Sequence, residues 1–154
     1  MTFDLERFTR AQRRDFAQAL SELDAGRKRS HWIWYVFPQL AGLGSSPAAQ
    51  TYGLEGAEEA TAYLRDAVLR DRLLEAANAV RRHLDRQSPA SLRSLMGSEI
   101  DALKLVSSMT LFREIAQRVG DDDVASVAQA ILQAAKAQGF AECEFTKREI
   151  HARD

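Results

Sequence analysis

The chain has 154 residues, 45% hydrophobic and 28% charged, with a formal net charge of −1. That composition fits one globular domain and excludes a disordered chain and a general polyanion binder. Cys143 is the sole cysteine and the three histidines are widely separated, so no intramolecular disulfide, no structural zinc and no cofactor are expected.

Helical periodicity dominates. Phe8, Phe16, Leu20 and Leu23 mark the apolar side of a first helical region, with a break expected near Arg10–Gln12 and an end at Gly26. The charged opening MTFDLERFTR does not read as a secretory leader. No apolar run approaches the roughly 20 residues of a membrane span. A cytoplasmic location without a membrane partner is therefore expected.

The segment Ser30–Gln39 (SHWIWYVFPQ) carries strand-favouring aromatics, and Phe37 before Pro38 is biased away from the α region. No second convincing strand exists to pair its backbone, so a short helix capped by Ser30 and running to Val36 is expected. Next, a glycine-containing loop, Gly42–Ser46, leads into a helix starting near Pro47, with Ser46 as the cap. Ala57–Arg65 reads as a short helix. Asp66 caps another, with Leu69, Leu73, Ala77, Val80 and Leu84 on one stripe.

Ser88-Pro89 repeats a start signal for a short turn ended by Gly97. Ser98 with Asp101 resembles a capping box, Asp replacing the usual Glu or Gln. It opens a long helix whose buried face is Leu105, Met109, Phe112, Ala116 and Val119, stopped by Gly120. Asp121–Asp123 favour the positive end of a last clear helix, Val124–Gln138, burying Val127, Ile131 and Ala135. The expected fold is all-α: a compact single-domain bundle of about six to eight helices, several of them short. Residues 1–139 form its core, and 140–154 a tail that is frayed or docked as a helix.

Candidate chemistry concentrates in two blocks. The first is Gly26–Ser46, where Arg27-Lys28-Arg29 precede His31, Trp32, Trp34, Tyr35 and Phe37. Packing explains most of those aromatics, since each buries a large apolar area. An aromatic pocket wall beside a cation is the functional counterpart. Ser30 is a poor partner for His31, because sequence neighbours diverge on both helix and strand. Ser107, Ser108 or Tyr52 are better placed to meet it through folding. His83, between arginines and their neighbours, is expected at the surface.

The second block lies in the long helix, where Lys104, Ser107 and Ser108 share a face as an anion-binding patch or a solvated stripe. Asp121–Asp123 are explained by capping without a metal ion. Residues 1–50 hold seven Lys/Arg against five Asp/Glu, too slight an excess for a nucleic-acid footprint.

The chain resembles a known bacterial family. The residues that carry the likeness are Asp4-Leu5, Arg7-Phe8, Ala11-Gln12, Gly26–Trp32, Trp34-Tyr35, Phe37–Leu40, Gly42–Ser46, Tyr52, Ala62–Leu64, Asp101, Leu103–Leu105 and Ser107–Phe112. Together they are similar to domain-of-unknown-function family 1810, over about residues 4–112. The HWxW–FPQ and SSMTLF blocks are the specific part; the calpastatin-like label sometimes given to the family has no visible counterpart here. The resemblance implies a compact, mostly helical fold and no particular activity. Beyond Phe112 the sequence departs from the pattern, which implies a differently packed C-terminal third.

As family motifs, the two polar blocks are expected to meet in space. Lys28, His31, Gln39, Lys104 and Ser107 or Ser108 would then line a positive cleft. The leading expectation is a site for a small anionic, ring-containing ligand such as a nucleotide or sugar phosphate. In it Lys28 and Lys104 neutralise charge, Trp32 or Tyr35 stacks, and Gln39, Ser107 and Ser108 orient the ligand. His31 is the general acid/base if turnover occurs, which the residues leave open. The alternative is a protein-interaction module using Trp32–Phe37. Burial discriminates the two: a polar concavity fits a ligand, an open apolar patch a partner.

Overall fold

The computed structural model describes residues 2–152. Among them are nine helices and no strand, one helix more than the upper expected number. They are α1 (Glu6–Asp24), α2 (Ile33–Val36), α3 (Pro47–Tyr52), α4 (Gly56–Arg65), α5 (Ala67–Leu84), α6 (Leu92–Met96), α7 (Glu99–Val119), α8 (Asp122–Ala137) and α9 (Glu144–His151). No helix of the described residues is long and apolar enough to cross a membrane.

The caps follow local chemistry. Ser46, Asp66, Ser98 and Asp121 each accept the backbone N–H three residues on, satisfying a donor the first helical turn leaves unpaired. Gly97 and Gly120 end α6 and α7 in the left-handed region, at φ +84° and +77°.

Three boundaries differ most from expectation, and α8 starts two residues earlier than expected, at Asp122. α1 runs unbroken through Arg10–Gln12. Gln12 is buried there, and its amide donates to Tyr35 O at 2.7 Å and Tyr63 Oη at 3.1 Å, a tertiary reward for a polar residue in the core. α2 starts at Ile33, with Trp32 in the cap position; Ser30 caps nothing. α6 starts at Leu92 under Ser91, not at Ser88-Pro89, because Ser91 Oγ receives the Ser94 N–H.

α7 packs along α8 and also meets α4, α6 and α9, while α5 bridges α8 to α1. The apolar stripe of α5 (Leu69, Leu73, Ala77, Val80 and Leu84) is buried as expected. So is that of α7, except Val119, which is 36% exposed where the helix ends. Trp32, Tyr63, Phe8, Phe37 and Phe112 lie fully inside, each contributing on the order of 1.5–3 kcal/mol through burial. The chain after α2 finds a partner in the stretch before α4. Leu54 N–H donates to Gln39 O and Ala41 N–H to Leu54 O, a single parallel bridge. The two backbones approach so closely that a Cβ on Gly53 would stand 2.7 Å from Ala41 Cα.

The C-terminal segment is docked. Phe140, Thr146 and Ile150 are buried, and Thr110 Oγ1 takes the Cys143 N–H at 3.2 Å while donating to Val106 O. Arg113, reaching from α7, grips Glu142 with two N–H···O bonds of 2.7 and 2.6 Å.

Candidate functional site

The start of α7 joins the two polar blocks. Ser98 Oγ receives the Asp101 N–H at 3.1 Å, which completes the first half of a capping box. The Asp101 carboxylate does not reach back to the cap. It faces Lys28 Nζ at 2.8 Å and Lys104 Nζ at 3.7 Å. Two ammonium groups thus share one carboxylate and leave a local excess of one positive charge. The side chains of Lys28, Asp101 and Lys104 are 5%, 19% and 24% exposed, so Lys104 is the member open to solvent.

Each lysine also lies against an indole. Lys28 Nζ stands 5.0 Å from the Trp32 ring centroid and Lys104 Nζ 4.8 Å from that of Trp34. The negative face of an indole attracts a cation at such range. Trp32 itself is buried. Trp34, half-buried, is the aromatic that reaches the surface here.

Behind Trp32 stands a residue that no sequence motif marks. Glu22, on α1, is buried yet charged, and its carboxylate accepts five hydrogen bonds. They come from Arg29 N–H (2.6 Å), Ser30 N–H (2.8 Å), Ser30 Oγ (2.6 Å), Trp32 Nε1 (3.0 Å) and Gln18 Nε2 (2.8 Å). Burial opposes the charge, but the bonds from Ser30, Arg29 and Gln18 outweigh it and hold the carboxyl far below its ordinary range. Glu22 therefore fixes the turn that carries Lys28 and Trp32 to α7. The available signal was a glutamate on the buried side of α1, four residues after Gln18.

Tyr35 lies elsewhere. Its ring packs at 5.0 Å from Tyr52, and its hydroxyl donates to Asp15 on α1. Burial, reinforced by that bond, pushes the phenol up to about 12. Gln39 serves the backbone, donating to Leu43 O at 2.9 Å. His31 is exposed, with no hydrogen bond or ion pair from its ring to a described residue. Ser107 and Ser108 are buried, so the second block is no solvated stripe. His83 is buried too, its Nε2 donating to Leu23 O at 2.8 Å and Asp24 O at 3.1 Å.

Two buried polar atoms among the described side chains lack a hydrogen-bond partner: Trp34 Nε1 and Ser108 Oγ. Trp34 belongs to this corner. Trp34 stands over Lys104, and Ser108 follows Lys104 by one helical turn on the same face. The Asp121–Asp123 run is taken up by capping and by Arg70, which pairs with Asp121 through two bonds of 3.1 Å. No three His, Cys, Asp or Glu side chains of the described residues converge as a metal set.

The described concavities lie away from the lysines. One of about 610 Å³ is bounded by Leu40, Leu54, Glu55, Glu58, Arg118 and Ile150. Another, of about 440 Å³, lies behind Lys28 among Arg27, Arg93, Ser94 and Ser98. The expected cleft is a closed junction, with Lys104 and Trp34 at its surface.

The chain belongs to a family described as protein of unknown function (DUF1810), whose profile matches residues 2–139. The match runs past Phe112, so α8 is part of the family pattern rather than a differently packed addition. A crystal structure of the conserved hypothetical protein Rv1873 from Mycobacterium tuberculosis is 42% identical, covers 96% of each chain and superposes with a TM-score of 0.80. No functionally curated protein matches the sequence.

Proposed function

We propose that this protein binds a small anionic, ring-containing metabolite, such as a nucleotide or sugar phosphate, where α2 meets the first turns of α7. The observation that supports this most is the meeting of Lys28 and Lys104 on the single carboxylate of Asp101. A surplus positive charge beside a half-buried indole suits an anion attached to a ring.

The roles differ from those the residue types alone suggested. Lys104, at the surface, meets the anion, and Trp34 offers the ring surface in place of Trp32 or Tyr35. Lys28 and Trp32 form the wall that positions Asp101, with Glu22 behind them. His31 lacks a carboxylate to orient it, so the proposal is binding, not turnover. A cytoplasmic location, where such metabolites abound, belongs to the same proposal. A thermal-shift screen of anionic metabolites tests it: a ligand raises the midpoint by mass action, and Lys104→Ala removes the rise. No stabilisation by any nucleotide or sugar phosphate would refute it.

A protein-interaction surface has one observation in its favour. Ile100 and Leu103, on the same turns of α7 as Lys104, are 66% and 49% exposed. Within Trp32–Phe37 only Trp34 remains available to such a surface. With a second copy of this chain as the partner, Leu103→Lys would abolish any concentration-dependent association in sedimentation. A wild type that stays monomeric throughout would contradict it.

A further inference from the structure

The Lys28 junction uses only part of the basic run Arg27–Arg29. The turn carrying that run is held twice: Lys28 N–H donates to Leu95 O at 2.8 Å, and Lys28 Nζ pairs with Asp101. Lys28 is thereby drawn inward, while Arg27 stays exposed. Arg27 lines the concavity of about 440 Å³ together with Gly26, Arg93, Ser94, Gly97 and Ser98.

Every side chain around that space can donate a hydrogen bond. Arg27 makes no ion pair or side-chain hydrogen bond among the described residues. Arg93 is fixed in place. Its Nε and Nη2 donate to Glu99 Oε1 at 3.1 and 2.8 Å, and its guanidinium lies 4.7 Å from the Phe140 ring centroid. Its Nη1 is left to donate elsewhere. Ser98 Oγ accepts the Asp101 N–H, so its own proton is available, and Ser94 Oγ has no partner among the described residues. No carboxylate and no apolar side chain lines the space, and Gly26 and Gly97 present bare backbone to it, which lets a compact group come close.

We infer that this concavity binds a phosphate group, as free phosphate or at the end of a small monoester. Arg27 and Arg93 supply the charge, and the Ser94 and Ser98 hydroxyls bond the oxygens. Glu99 neutralises one guanidinium, so an excess of one positive charge awaits an anion. The guanidinium fork matches phosphate oxygens in pairs, and four donor side chains suit a tetrahedral anion better than a carboxylate with its two oxygens. With no aromatic wall, recognition falls on the phosphate itself, and the rest of a monoester extends into solvent. The inference does not draw on Lys104 or Trp34, and it stands even where that corner binds nothing.

The experiment is a proton–nitrogen correlation spectrum of the full chain, titrated with inorganic phosphate, glycerol phosphate, and acetate or chloride at matched ionic strength. Both phosphates should shift the amide signals of Gly26, Arg27, Ser94, Gly97 and Ser98 saturably, while acetate and chloride do not. Binding of inorganic phosphate alone assigns the free ion as ligand; binding of the monoester as tightly or more so assigns a metabolite's phosphate. Either result supports the site.

Arg27→Ala and Ser94→Ala alter exposed side chains that hold nothing else in place, so the remaining signals stay where they are. Arg27→Ala should weaken phosphate binding by about tenfold or more, the scale of one charge-assisted hydrogen bond, and Ser94→Ala by less. Lys104→Ala should leave it unchanged. Shifts that chloride reproduces, that never saturate, or that Arg27→Ala retains in full would overturn the inference. So would loss of phosphate binding in Lys104→Ala, which would return the anion to the junction.

Discussion

Lys28 and Asp101, 73 positions apart in the chain, form an ion pair of 2.8 Å whose lysine side chain is only 5% exposed. The pair ties the turn after α1 to the first turn of α7. Because Lys28 is so deeply placed, removing Asp101 leaves a buried ammonium with only the Ser30 carbonyl and the Trp32 ring to answer it. Asp101→Asn is expected to cost about 3 kcal/mol, the usual scale for breaking such a pair. Urea denaturation measures it; a loss below about 0.5 kcal/mol would show that solvent already carries the charge.

Gly97 stands behind the same turn. At φ +84° it occupies the left-handed region, and an added Cβ would lie 2.8 Å from Lys28 O. Backbone strain and collision act together, so Gly97→Ala is expected to destabilise by about 2 kcal/mol or more. The comparison is Gly120→Ala, which has similar φ but no atom within 4 Å of the added carbon. Chemical unfolding of the two variants separates strain alone from strain with collision.

Acid should attack the Glu22 junction. Its folded carboxyl titrates far below the ordinary 4.5, so the stabilisation is fully present above that value and fades as pH falls toward the folded one. Glu22→Gln removes this dependence and turns an amide toward the Arg29 and Ser30 N–H groups. The expected loss is about 2–3 kcal/mol near neutral pH, shrinking as pH drops below 4.5. Urea midpoints for both proteins between neutral pH and the acid limit of folding give the difference curve. A constant difference would contradict the assignment.

Arg113 fastens the C-terminal segment through Glu142, and is itself held by Gln129 of α8 and by its neighbour Glu114. Arg113→Met is expected to raise amide exchange in α9 well before α5 or α7 respond, because it releases a local contact rather than the core. Uniform acceleration across all helices would show that the segment and the core open together.

Much of this architecture is legible in the sequence because helix starts are local events. Ser46, Asp66, Ser98 and Asp121 precede apolar stripes and cap as their types imply. Most of the failures share one cause: the partner lies outside the residue's own helix, the start of α6 under Ser91 being a local exception. The break expected near Arg10–Gln12 does not occur, since Tyr35 and Tyr63 supply acceptors for the buried Gln12 amide. Glu22 looks like surface until Arg29–Trp32 fold onto it, and His83 until the end of α1 meets it. The site shows the same limit. Lys28 and Lys104 could be paired because both belong to family blocks, whereas Asp101 read as a cap, since its carboxylate shows its purpose only when both lysines arrive. Trp32 and Tyr35 invite a stacking role by their rings, but their polar atoms bind Glu22 and Asp15. Trp34 keeps its own N–H unpaired.

That N–H gives the most direct test. The chain has two tryptophans, so a proton–nitrogen correlation spectrum holds two indole signals, assigned with Trp34→Phe. Titration with nucleotides and sugar acids or phosphates should shift the Trp34 indole resonance saturably and leave Trp32, bonded to Glu22, nearly unmoved. Lys104→Ala should abolish the shift. A Trp34 signal that no anionic metabolite displaces would contradict a ligand site at this junction.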